Sequence, residues 1–239
     1  MEGMENYYYL GLMVFTLSYP LAQSFEHRIS YAKKAYALFP AILSMAFVFI
    51  VWDHWFTVQG VWGFNEKYLI GVFFLELPLE EWLFFLIVPY ACVFIYEVLI
   101  YFVKKDLFKP LSVKIMYLLI GVLLTLGIYH FDKLYTGINF LFTSLVLAVH
   151  LFIFKDKHFG RFFLAYLVSF IPFFFVNGVL TGSWIEEPIV WYNDEENLGI
   201  RLGTIPIEDA VYNLGMLLMV VTIYEKIKER KTFQKGNGY

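Results

Sequence analysis

Long apolar stretches almost free of charge constrain the fold of this chain more than any other feature. Each approaches the roughly 20 residues that a helix needs to cross a bilayer, once its interfacial ends are counted. Hydrophobic residues make up 60% of the 239 residues and charged residues only 16%, too few polar groups to cover a soluble domain. We therefore predict an all-α integral membrane protein with seven transmembrane helices. Their cores lie at Tyr7–Ser24, Ala35–Trp52, Trp82–Val103, Ile115–Phe131, Leu134–Phe154, Phe162–Ile185 and Ala210–Tyr224.

Composition and motifs exclude several other classes of protein. A disulfide scaffold is excluded because Cys92 is the only cysteine, and a nucleic-acid binder is excluded because the net charge is −3. The histidines lack metal-ligand spacing, so no metal site is predicted. No basic residue precedes the first apolar run, which argues against a signal peptide. The last helix has no lysine between Arg201 and Lys226, which excludes a retinal Schiff base there.

The distribution of basic residues predicts the orientation of the helices. Of the 18 Lys and Arg residues, 15 follow helices one, three, five and seven. Basic loops stay on the cytoplasmic side of a membrane. The N-terminus is therefore predicted to lie outside and the C-terminus inside.

An internal repeat appears at an offset of 128 residues. Pro78–Glu81 aligns with Pro206–Asp209, and seven of the twenty positions from Pro78 onward are identical. The same shift is predicted to lay helix one on helix five and helix two on helix six. This predicts a single membrane domain of two parallel three-helix repeats, at residues 1–110 and 134–239. A linking helix at 111–133 supplies the extra crossing that two parallel repeats require.

Each repeat begins its third helix with a pair of acids, Glu80 with Glu81 and Glu208 with Asp209. Acids in the first turn also favour a helix locally through its dipole, so one such motif has a purely structural explanation. Two matched copies favour a shared site at the repeat interface, where membrane proteins often bind substrate. Adjacent residues face different directions. We predict that the identical pair, Glu80 and Glu208, faces a cavity and that Glu81 and Asp209 support it.

Three further polar residues precede a threonine by four positions, at one predicted end of the membrane: Asp53, Asp132 and Asn177. That spacing shares one helix face. The three side chains are candidates for a common substrate pocket, although helix-end hydrogen bonds or loop starts are the commoner explanation of such pairs. Glu97 and Glu225 lie too far along their helices to join this site, and we expect them to pair with lysines such as Lys104 or Lys228.

These motifs resemble the integral-membrane lycopene cyclases, of the heterodimer type in its fused single-chain form. The similarity is carried by Leu77–Glu97, by the loop Gly60–Asn65 and by Ile205–Glu225. In that family two small subunits each carry one unit, and here the two units would be fused. The resemblance implies carotenoid biosynthesis in the cytoplasmic membrane, with lycopene and γ-carotene as substrates dissolved in the bilayer. Phytoene synthase or a desaturase would be possible partners.

The implied reaction is a proton-initiated cyclisation of lycopene end groups to β-rings, without redox change and without a cofactor. It needs an acid, a base and groups that stabilise a carbocation. Glu80 and Glu208 are the predicted acid and base. The nearest aromatic residues are candidates to stabilise the cation, although lipid-facing packing is the commoner role of any one of them. They are Trp82, Phe84, Phe85 and Tyr212.

Three alternatives remain open at this point. The same cation can end as an ε- or γ-ring, be hydrated, or take up a prenyl group in C50 carotenoid synthesis. A small proton-coupled transporter also carries repeats and membrane carboxylates, but its repeats are more often inverted. A purely structural scaffold would not need two matched acid pairs.

Overall fold

The computed structural model describes residues 4–155 and 157–236, and it is an all-α membrane fold as predicted. The described residues form seven α-helices, α1 to α7. Their bounds are Tyr8–Gln23, Ala35–Gln59, Leu79–Phe102, Ser112–Tyr129, Leu134–Phe154, Phe159–Leu180 and Ile207–Gly236. Helices α2 to α7 are long and apolar enough to cross a membrane, which makes this a multi-pass membrane protein.

Helix α1 is shorter than the other six helices. It has 16 residues and is preceded by a short 3-10 turn at Glu5–Tyr7, which brings the helical stretch to the lower limit of a bilayer span. Helix α2 runs seven residues further than its predicted core at Ala35–Trp52. Asp53 and Thr57 therefore lie on a regular helix and not in a loop.

Six short strands, β1 to β6, lie between the helices at one end of the bundle. They run Trp62–Phe64, Phe73–Phe74, Leu77–Pro78, Val190–Tyr192, Arg201–Leu202 and Ile205–Pro206. Each element from β1 to the start of α3 recurs 128 residues later, from β4 to the start of α7. We call residues 60–78 and 188–206 the cap.

A single shift does not relate all the helices, contrary to the sequence prediction. Helix α5 starts 126 residues after α1, and α6 starts 124 residues after α2. The connecting segments differ in length between the two halves, so the register changes at each one. Tyr9 therefore corresponds to Tyr135, and Asp53 to Asn177.

The helices pack within each half and across the two halves. Helix α1 packs on α3 and α5 packs on α7, while α2 contacts α7 and α3 contacts α6 across the halves. Helix α4 lies against α5. It is the least buried of the six long apolar helices, so most of its surface is left for lipid.

A buried ion-pair cluster joins α3 to α7 at the end remote from the cap. The Tyr96 hydroxyl donates to Glu225, and the Tyr224 hydroxyl donates to Glu97, so the two contacts are related by the 128-residue shift. Lys228 Nζ lies 2.9 Å from both Glu97 Oε1 and Glu225 Oε1. The expected lysine partner is thus Lys228, which fixes the two helices against each other.

Candidate active site

The cap covers the end of the helix bundle through one antiparallel strand pair. Strand β1 pairs with β4 so that Gly63 lies opposite Trp191, its own counterpart in the other half. The pairing extends on both sides, because Asn65 N–H donates to Ile189 and Asn193 N–H donates to Val61. An approximate two-fold axis therefore passes through the centre of the cap.

A cavity of about 620 Å³ lies beneath the cap, lined mainly by residues of α1, α3, α6 and α7, together with Asp53 of α2, Tyr135 of α5 and residues of the cap. Its acids, Asp53, Glu81 and Asp209, lie toward the ends of their helices that carry the cap, and most of the other lining side chains are apolar. Phe15 of α1 and Phe175 of α6 line the cavity and are also largely exposed, with ring centroids 5.9 Å apart. Exposed apolar side chains in a membrane span face lipid, so the cavity opens sideways into the bilayer between α1 and α6.

The paired acids of the repeat take different directions at the start of their helices. Pro78 and Pro206 immediately precede α3 and α7, where the missing N–H costs no hydrogen bond. Glu81 and Asp209, one from each repeat, both line the cavity. One acid from each repeat therefore lies at the same cavity.

The prediction that Glu80 and Glu208 face the cavity is wrong. Glu80 accepts a hydrogen bond from Ile70 N–H at 2.8 Å, and Glu208 accepts one from Leu198 N–H at 2.7 Å. Both residues are fully buried outside the cavity lining. A side chain one position earlier points about 100° away around the helix, and here that direction leads to the cap backbone. These two acids hold the cap on the helices.

The two cavity acids differ in the hydrogen bonds that they accept. Glu81 accepts one from the Tyr9 hydroxyl, at 2.5 Å. Asp209 accepts three, from the Tyr135 hydroxyl at 2.6 Å, from the Tyr192 hydroxyl at 3.0 Å and from the Asn177 amide at 3.1 Å.

Tyr192, the donor to Asp209 that comes from the cap, is held in its protonated form. Burial raises the pKa of its hydroxyl well above the ordinary value, and the neighbouring Asp209 carboxylate raises it further. The hydroxyl therefore keeps the proton that it donates to Asp209. This contact ties the cap to the cavity acid of the second half.

Two of the three residues that precede a threonine reach the cavity. Asp53 and Asn177 line it, but Asp132 is exposed in the turn between α4 and α5 and takes no part. The turn is needed because α4 ends at Tyr129 and α5 starts at Leu134. The matching Thr136 lies elsewhere in the site, where its hydroxyl donates to Glu208.

Of the four aromatic residues predicted to stabilise the cation, two line the cavity and two lie outside it. Phe84 and Tyr212 line the cavity and correspond to each other in the two halves. Phe85 is buried outside the cavity against Phe49. Trp82 lies at the cap, where its indole N–H donates to Phe74 O at 3.2 Å.

Within the described part of the cavity lining, three buried polar atoms have no hydrogen-bond partner. They are Asp53 Oδ2, Trp62 Nε1 and the Tyr212 hydroxyl, and all three residues line the cavity. The Glu81 carboxyl lies within electrostatic range of the carboxyls of Asp53 and Asp209. No Lys, Arg or His lines the cavity in the described parts of the chain.

The repeat-related position on the other side of the axis is filled with aromatic rings. Thr16 and Val176 line the cavity, and their counterparts are Phe142 and Trp52. These two rings stack edge to face with centroids 5.2 Å apart. In the described part of the chain, the cavity therefore does not follow the approximate symmetry of the fold.

Residues 4–155 and 157–236 contain no group of three or more His, Cys, Asp and Glu side chains that could hold a metal ion. The side chains that line the cavity supply buried carboxyls, hydroxyls and aromatic faces. These groups can move a proton and stabilise a cation within apolar surroundings.

The comparison with known protein families agrees with this chemistry. The lycopene cyclase family model matches residues 6–99 and 132–227, which together make up more than half of the chain. The chain belongs to the lycopene cyclase family. The two matched segments contain the two halves described above and leave out most of α4. Membership assigns the protein to carotenoid cyclisation. No curated protein and no solved structure matches the chain significantly.

Sequence reasoning missed the tyrosines that hold the cavity acids in this lycopene cyclase family member. Tyr9 and Tyr135 each occupy the second position of their helix and contact the acid of their own half. Their correspondence is visible in the sequence at an offset of 126, where Gly11 also matches Gly137. The single offset of 128 concealed it.

Proposed function

We propose that this protein converts the linear end groups of lycopene to β-rings by acid–base catalysis, without redox change. The observation that carries the proposal is the joint position of Glu81 and Asp209. These acids, one from each repeat, line a single apolar cavity that opens to the bilayer. An apolar carotenoid can enter such a cavity sideways from the lipid, without crossing water.

The reaction sequence follows from the groups present. A protonated carboxyl adds its proton to the terminal double bond of the substrate and leaves a tertiary carbocation. A neighbouring alkene of the same molecule attacks the cation and closes the ring. A carboxylate then removes a proton, which leaves the ring double bond. Glu81 and Asp209 supply the carboxyls, and a positioned acid or base of this kind contributes roughly 10²–10⁴-fold in rate.

Aromatic faces stabilise the cation between these two proton transfers. Phe84 and Tyr212 belong to different halves of the cavity. Each lies three residues, or about one helical turn, after the cavity acid of its own helix. Each face contributes roughly 0.5–2 kcal/mol to the stability of a nearby cation. The cap keeps water out, and this favours proton loss over hydration of the cation.

The expected substrates are lycopene and the monocyclic γ-carotene, and the expected location is the cytoplasmic membrane. Phytoene synthase or a desaturase remains a proposed neighbour, because those reactions supply the linear carotene. Glu80 and Glu208, which we predicted from the sequence as acid and base, are assigned the role of cap supports because they lie outside the cavity.

The experiment is pigment analysis of a lycopene-accumulating bacterial host that expresses the chain. Wild-type protein is expected to convert lycopene to β-carotene. Glu81→Gln and Asp209→Asn are expected to retain lycopene, with turnover lower by about 10²-fold or more. Glu66→Gln removes an exposed cap acid and serves as the matched control, with unchanged conversion.

Other outcomes of this experiment are equally informative. ε-Rings, γ-rings or hydroxylated ends would keep the cation chemistry and refute the β-ring product. Unchanged lycopene with verified, membrane-inserted protein would refute the cyclase assignment and favour a carrier. Full activity of both cavity variants would refute the roles given to Glu81 and Asp209.

A further inference from the structure

The two halves of the cavity donate different numbers of hydrogen bonds to their acids. Asp209 accepts three hydrogen bonds, from the hydroxyls of Tyr135 and Tyr192 and from the amide of Asn177. Hydrogen bonds donated to a carboxylate favour its ionised form. With this set of donors, Asp209 has the surroundings of a carboxylate that carries its charge.

Glu81 has the opposite surroundings. Its single donor is the Tyr9 hydroxyl, and its carboxyl lies within electrostatic range of Asp53. Asp53 is buried, and the group that faces its carboxyl from the cap is the indole N–H of Trp62. Two buried carboxyls near each other cannot both be ionised at low cost, and one of them keeps a proton.

The sequence difference between the halves accounts for this asymmetry. Asp53 of α2 corresponds to Asn177 of α6 at the offset of 124. In the second half the amide donates a hydrogen bond to the acid, which stabilises its charge. In the first half an ionised carboxyl at the same position has no proton to donate. Asn177 therefore stabilises the ionised form of the neighbouring acid, whereas Asp53 at the corresponding position favours a proton shared between itself and Glu81.

The other groups that face Asp53 and Glu81 do not change this balance. The facing side chains from the packed elements are Tyr9 of α1, Trp62 of β1 and Tyr212 of α7, all neutral. The carboxyl of Glu80 on α3 also lies within electrostatic range of Glu81 and favours a proton on the pair. Asp209 of α7 adds negative charge and favours the proton on the first half further. The described cavity lining holds no cation that would offset it.

We propose that Asp53 and Glu81 share the proton that starts the reaction, and that Asp209 is the carboxylate that removes the proton at its end. The inference rests on the proposed function and decides which repeat supplies the acid. Glu81 transfers the proton, and Asp53 is a positioning residue that keeps it on the pair.

The proton balance closes within the cavity. The Glu81 carboxyl gives its proton to the terminal double bond, and the pair then carries both negative charges. The carbon–carbon bond forms by attack of the internal alkene on the cation. The ring cation loses a proton to Asp209, and that proton returns to the Asp53–Glu81 pair before the next turnover. No oxidant, reductant or net proton is required, because the product is an isomer of the substrate.

The test detects the protonated carboxyl directly, by infrared spectroscopy of the purified protein without substrate. A protonated carboxyl has a carbonyl-stretch band that shifts in deuterium oxide. The double variant Asp53→Asn/Glu81→Gln is expected to lose one such band relative to wild type. Asp209→Asn is expected to keep it. Retention of the band in the double variant, or its loss in Asp209→Asn, would overturn the proposal.

Turnover of the single variants separates a positioning role from a merely structural one. Asp53→Asn keeps the side-chain shape, and we expect it to lower turnover at least tenfold, with partial recovery in Asp53→Glu. Turnover of Asp53→Asn equal to wild type would overturn the role of Asp53. If wild type makes no cyclic product but the infrared result is as expected, the proposed function fails while the proton assignment stands.

Discussion

The ion-pair cluster between α3 and α7 allows a quantitative test of how the two halves are held together. Lys228 contacts Glu97 and Glu225, and Lys34 Nζ lies 2.5 Å from the second oxygen of Glu97. The two ammonium groups balance the two carboxylates. In Lys228→Met, Glu97 keeps Lys34, but Glu225 is left with a hydroxyl donor and with His158, whose Nδ1 is 3.9 Å away.

The size of the effect follows from burial. Removal of one partner from a buried ion pair costs roughly 3–5 kcal/mol, because a charge stays behind without compensation. Side chains of Glu97 and Glu225 are only 3% and 6% exposed, but that of Lys228 is 25% exposed, which screens part of the loss. We therefore expect Lys228→Met to lower the free energy of unfolding by about 2–4 kcal/mol.

The assay is reversible chemical unfolding of the protein in detergent micelles. The double variant Lys228→Met/Glu225→Gln removes the uncompensated charge and is expected to recover at least half of the loss. Lys157→Met breaks a pair with Glu229 in which the lysine is 60% exposed, so its cost should stay below about 1 kcal/mol. A Lys228→Met protein as stable as Lys157→Met, or a double variant with no recovery, would refute the reasoning.

Three further predictions concern the cap and the cavity. Because Phe142 blocks the repeat-related position, we expect the two ends of lycopene to react one at a time. A chromatographic time course should then show free monocyclic product before the bicyclic product accumulates. A Cβ at Gly63 would lie 2.3 Å from the Trp191 ring, so Gly63→Ala should lower the free energy of unfolding by roughly 1–3 kcal/mol. The double variant Gly63→Ala/Trp191→Ala should recover part of that loss, because the clashing ring is absent. Cys92 is the only cysteine and lines the cavity, so a small uncharged mercurial should label it in membranes, and bound lycopene should slow the labelling.

The sequence was sufficient for the features that depend on local composition. Uncharged apolar stretches must satisfy their backbone hydrogen bonds internally in a bilayer, which leaves helices as the solution for segments of this length. The two copies of the proline-acid motif at Pro78 and Pro206 were likewise visible without a structure. The family resemblance rested on these residues and was confirmed by the family match.

The tertiary structure decided which side chain of each acid pair faces the cavity. Adjacent residues on a helix point about 100° apart, so a small rotation of α3 about its axis would exchange Glu80 and Glu81. That rotation is set by contacts with distant segments, such as the hydrogen bond of Ile70 to Glu80 and that of Tyr9 to Glu81. Local sequence carries no information about them.

The cap and the asymmetry of the cavity also depend on tertiary contacts. Strands β1 and β4 are three residues long and pair across 128 residues, so neither has a strong local signal. Asp53 and Asn177 were recognised as candidates, but their opposite effects became visible only beside Glu81 and Asp209. The bilayer determines that these segments are helices. The packing of one helix against another determines which carboxyl meets the substrate.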